Sequence, residues 1–183
     1  FGDLGVLFIL IVILVYIVMA TQFESLLFPF IIMFTIPFAF TGVFLALWMT
    51  STPLSLIALI GAIMLVGIVT KNGIVMVDYM NLLIERGSGV FDAVIAGGKS
   101  RLRPVLMTSF TTILGMLPLA IGTGAGSETW QPMGIAVIGG LTFSTILTLF
   151  IVPVLYSILV NRSQRKEREK LARLAAEHQA SVH

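Results

Sequence analysis

One charged side chain interrupts an otherwise apolar run. In GAIMLVGIVTKNGIVMVDYMN, residues 61–81, Lys71 stands near the middle, with Asn72 beside it, Gly67 one turn before and Asp78 two turns after. At 3.6 residues per turn, Gly67, Lys71, Ile74 and Asp78 fall on one stripe of a helix. An ammonium at bilayer depth costs at least about 2.5–3.5 kcal/mol even on lenient insertion scales, so it is expected to face protein or trapped water. Snorkelling to the headgroups is the blander role for such a lysine. Roughly ten apolar-dominated positions on either side argue against it, because a bilayer takes about 20 residues to cross.

A buried cation needs a partner. Asp78 shares the stripe but stands about 10 Å along the axis at 1.5 Å per residue, too far for a direct ion pair. Asp3, Glu24, Glu85, Asp92 and Glu128 flank or separate apolar runs, and Glu167, Glu169 and Glu177 belong to a charged tail. The counter-charge of Lys71 is therefore expected on a helix outside these 183 residues.

The elements that must position Lys71 read as membrane helices. Hydrophobic residues make up 57% of the chain and charged ones 11%, and the mean hydropathy is +1.05, far from a soluble balance. The expected fold is an all-α membrane protein, a bundle of five spans at about 4–21, 26–49, 54–80, 104–121 and 133–160, with a charged C-terminal helix or tail over 161–183. That tail reads as a solvated helix, Glu169 and Arg173 pairing at i,i+4. Pro37 is expected to kink the second span or be covered by neighbours, and Trp48 to anchor its end at the interface. Phe91, Val94 and Ile95 predict a short surface helix before the fourth span, which Pro104 is expected to begin. Hydroxyls such as Ser109, Thr111 and Thr112 ordinarily bond the carbonyl one turn back or join helices. The run GTGAGS from Gly122 lacks the lysine and strand of a phosphate loop and reads as a tight turn. Gly139 and Gly140 predict close helix approach in the last span.

Charge sets the expected topology. Of eleven basic residues, six lie between Arg162 and Arg173 and four between Arg86 and Arg103. Alternating spans put both groups on one face, the cytoplasmic one by the positive-inside rule, so Phe1 starts outside. That distribution, not a nucleic-acid surface, explains the basic balance. A chain that starts outside without a signal peptide is expected to be cut from something longer. Without cysteine, and with only His178 and His183, it offers no metal cluster. No nucleophile–base pairing is present, so no enzyme, catalytic residue or cofactor is expected.

Several motifs match a family. QFESLLFPF at the start of the second span, GIVTKNGIVMVDY around Lys71, SRLRPVLMTS into the fourth span, LPLAIGTGAGSE, and the IGG…VPVLY run occur together. Over about residues 1–160 the chain resembles the C-terminal membrane portion of resistance–nodulation–division (RND) multidrug efflux pumps, hydrophobe/amphiphile branch. The resemblance makes the five spans the last five of twelve. It implies a proton-driven inner-membrane antiporter, energised by the proton gradient, that exports hydrophobic and amphiphilic compounds. It also implies a homotrimer working with a periplasmic adaptor and an outer-membrane channel. The family's relay lysine, which pairs with two aspartates of an earlier helix, corresponds to Lys71, and its relay threonine and arginine correspond to Thr108 and Arg101. Asn72 and Asp78 are supporting candidates. The aspartate-bearing N-terminal half is absent from this chain.

In a low-dielectric bundle, a lysine between two carboxylates holds them strongly, and protonating them releases it. Such an ion pair is a two-state element driven by proton supply. Thr108 can offer its hydroxyl to the lysine or to a water chain, whereas Arg101 could equally anchor anionic headgroups. The other readings are a structural anchor or assembly subunit, in which Lys71 selects helix partners, and a channel, in which it selects anions. Within the superfamily, heavy-metal and protein-export pumps are the alternatives, although the former generally lack the Lys-Asn pair and the latter the SRLRP and TGAGSE patterns.

Overall fold

A computed structural model describes residues 2–181 as helices and short turns. Phe1, on which the outside start rests, and His183 lie outside the described residues. The elements in order are α1 (Gly2–Phe23), α2 (Leu27–Met33), α3 (Thr35–Met49), α4 (Leu56–Glu85), α5 (Val90–Ile121) and α6 (Ser127–Ser181). Taking α2 and α3 as one span, five helical segments are long and apolar enough to cross a membrane, as the hydropathy predicts.

The break between α2 and α3 falls at Phe34, one turn before Pro37. Proline has no N–H for the carbonyl four residues back and its ring crowds that carbonyl, so the kink appears on the N-terminal side. The Thr35 hydroxyl donates to the Ile32 carbonyl at 2.6 Å across the break.

Pro104 behaves differently from the expectation. It lies inside α5, which runs unbroken from the expected surface helix into the fourth span. The carbonyl that loses its donor belongs to Ser100, and both residues are exposed, a position at which a freed carbonyl is less costly than in a packed interior. The first turns of α5 fold back onto α4 through Val90, Ala93 and Gly97, all buried. A Cβ at Gly97 would come within 2.6 Å of Met80 Cγ. Phe91 and Ile95 of the expected apolar face point outward. The charged tail likewise continues the last span as one 55-residue helix.

α6 is the axis of the bundle, packed against α3, α4 and α5. Close approach depends on glycine: a Cβ on Gly139 would lie 2.1 Å from Ala46 Cβ, and one on Gly42 would lie 2.8 Å from the Gly139 carbonyl oxygen. Two apolar cores result. One gathers Ala39, Val43, Leu65 and Leu141. The other gathers Met19, Ile32, Met80, Val90 and Tyr156, joining the end of α1, the end of α4, the start of α5 and the root of the tail. Ser109 and Thr145 bridge α5 and α6 by a hydroxyl pair at 2.9 Å, while Thr111 and Thr112 bond the carbonyls of Met107 and Thr108. The glycine-rich loop is a turn, with Gly122, Gly124 and Gly126 all at positive φ.

Candidate functional site: an open charged stripe on α4

α4 begins at Ser55, whose side chain accepts from the Ala58 N–H at 3.2 Å, a cap worth about 1 kcal/mol. Its packed face carries Ala58, Ala62, Leu65, Val69, Met76 and Met80. The opposite face carries Ile60 and Met64, then Gly67, Lys71 and Asp78, all exposed. A Cβ on Gly67 would meet nothing within 4 Å. Of the stripe read from the spacing, Gly67, Lys71 and Asp78 are open, whereas Ile74 between them is partly buried against the core that holds Met76 and Tyr156.

No described residue pairs with Lys71 by a hydrogen bond or ion pair. Asp78 makes no contact of that kind either, in keeping with the two-turn separation. Asn72 is buried, only 7% exposed, because one residue along a helix turns the side chain by about 100°. It therefore lies in the packed interior and not on the stripe. Thr70 beside it is also buried, and its hydroxyl has no hydrogen-bond partner.

Thr108 lies exposed on α5, and its hydroxyl donates to the Pro104 carbonyl at 3.0 Å. That is the same backbone bond its neighbours Thr111 and Thr112 make, and it leaves the oxygen's lone pairs open. Arg101 is held more definitely. Its guanidinium carbon sits 4.7 Å from the centroid of the Tyr79 ring, a cation–π contact that brings α5 against α4 beside Asp78. Its Nε is buried without a hydrogen-bond partner. Spacing does not single out Tyr79: the sequence shows only an aromatic next to Asp78, with Arg101 standing 22 residues further on in another helix.

A second link was also invisible in the sequence. The Tyr156 hydroxyl on α6 donates to Oδ1 of Asn81 on α4, and its ring stacks on Phe28 at 5.7 Å. This fixes the end of α4, one turn past Asp78.

The class of protein is now defined: a polytopic helical membrane protein whose mid-span ammonium, on an exposed helix position, has no partner among the described residues. The AcrB/AcrD/AcrF family pattern matches residues 2–160, and the chain belongs to that family, as the RND motifs predict. It is 43% identical over 155 residues to the multidrug resistance protein MdtC of Erwinia tasmaniensis, covering 84% of this chain and 15% of that protein. MdtC of Erwinia amylovora is 44% identical over 155 residues, with the same 84% and 15% coverage. MdtC of Proteus mirabilis is 40% identical over 160 residues, covering 87% of this chain and 16% of that protein. The chain thus spans about one-sixth of the length of these relatives.

Proposed function

We propose that this chain is the lysine-bearing part of a proton-driven efflux transporter for hydrophobic and amphiphilic compounds. The observation that carries the reading is Lys71: an ammonium in mid-span, on an open stripe, with no counter-charge among the described residues. Membership of the AcrB/AcrD/AcrF family and likeness to proteins named for multidrug resistance support the cargo class.

In this reading, carboxylates of a preceding segment dock on the stripe and surround Lys71. Ionised, they bind the ammonium strongly in a medium of low dielectric. Protonated, they release it, and the segments change their relative position. Thr108 offers a hydroxyl oxygen toward the relay, and Arg101, seated on Tyr79, places a second cation near the end of α4. Asp78 and the buried Asn72 are supporting positions. The assembled protein is a homotrimer of the inner membrane, with its tail in the cytoplasm, working with a periplasmic adaptor and an outer-membrane channel.

The test is Lys71→Met in the full-length protein. Met is similar in length and removes a charge that is costly to bury, so insertion and assembly persist. Its acidic partners lose the cation that keeps them ionised and settle in the protonated arrangement. Efflux against a fixed proton gradient, normalised to assembled protein, falls to background. Lys71→Arg also slows it, because a planar fork does not replace a compact ammonium. Wild-type efflux from the Met variant would end the proposal.

A further inference from the structure

We propose that the root of the α6 tail, beside the start of α2, is a binding site for an anionic phospholipid. A cleft of about 700 Å³ opens there, within the range of small-ligand pockets. Its floor is apolar, made by Leu27 of α2 and Leu159 of α6, and its rim is cationic, carrying Arg162 and Lys166. Leu159, Arg162 and Lys166 are spaced i, i+3, i+7, so they share one helix face. The cations stand about 5–10 Å beyond the leucine along the axis. A phospholipid has that order of chemistry: acyl chains and glycerol against the leucines, phosphate against the cations. The Ser163 hydroxyl, in the same cleft, adds a neutral donor.

Arg165 is the third cation of the cleft, and Glu169 holds its Nε at 3.3 Å. The two side chains are 83% and 59% exposed, so the pair is weak and Glu169 competes with a phosphate for Arg165. A neighbouring cleft of about 560 Å³, between the tail and the start of α5, is lined by Asp92 with Arg165 and Arg168, a smaller cationic excess than Arg162, Arg165 and Lys166 against Glu169. The apolar floor selects the ligand: a free phosphate has no use for Leu27 and Leu159, whereas a lipid at the membrane edge covers both.

The experiment is native mass spectrometry of the full-length protein that contains this segment, titrated in mild detergent with phosphatidylglycerol or phosphatidylcholine. Phosphatidylglycerol is retained preferentially. The double variant Arg162→Ala/Lys166→Ala loses about fivefold in its affinity for each cation removed. Glu169→Gln, an exposed change that leaves the fold alone, binds it up to about fivefold more tightly by freeing Arg165. Excess inorganic phosphate leaves the lipid bound. Equal retention of the two lipids, wild-type retention by the double variant, or weaker binding by the Gln variant overturns the proposal. Displacement by millimolar phosphate assigns the cleft to a free anion and overturns it as well.

Discussion

Arg101 of α5 lies over the ring of Tyr79 of α4, its guanidinium carbon 4.7 Å from the ring centroid. Two helices that span the membrane are thereby tied beside Asp78, next to the stripe that carries Lys71. A guanidinium over an aromatic face is worth about 0.5–2 kcal/mol, more when desolvated. Tyr79→Phe keeps the face and is expected to be nearly silent in stability. Tyr79→Leu loses it. A double-mutant cycle of Tyr79→Leu with Arg101→Met, read by detergent denaturation, should return a coupling of about 0.5–2 kcal/mol. A coupling of zero would show that the ring does not hold the arginine.

The bond from Tyr156 to Asn81 makes a separable prediction. Tyr156→Phe keeps the ring against Phe28 but leaves the Asn81 oxygen without its donor. Hydrogen bonds between membrane helices average about 0.6 kcal/mol and reach about 1.7, so a loss of that size is expected. Tyr156→Leu also forfeits the stacking and should cost more. Equal stabilities for Tyr156→Phe and wild type would mean that the bond contributes nothing to the fold.

The close contact between α3 and α6 depends on the absence of a side chain at Gly139. A methyl group there would press on Ala46. Gly139→Ala is expected to cost about 1–3 kcal/mol through overpacking, and Ala46→Gly in the same chain should recover part of it. Failure of the second change to help would place the strain elsewhere, with the Gly42 carbonyl, 3.0 Å from the added atom, as the next contact.

Topology can be read by labelling, since the chain has no cysteine. Cysteines placed at Ser51 and Ser127 should react with an impermeant reagent in intact cells. Those at Ser88 and Ser163 should react only after permeabilisation, as the clustering of basic residues predicts. Reaction of the Ser163 site in intact cells would reverse the assignment.

How much of this was legible in the sequence follows from the range of the forces involved. Lys71 and its stripe could be read directly, because helical period and the cost of a membrane-buried charge are local properties. Span number, the turn at Gly122 and the close approach at Gly139 followed from hydropathy and glycine chemistry for the same reason. What the sequence misplaced were continuities: α5 passes through Pro104, and the tail extends α6. Whether a proline breaks a helix depends on what the freed carbonyl costs, and at Ser100 that is set by exposure. The burial of Asn72, the seat of Arg101 on Tyr79 and the link from Tyr156 to Asn81 were decided by tertiary structure alone. Each joins residues by the rotation and crossing of whole helices, which side-chain spacing along one helix does not encode.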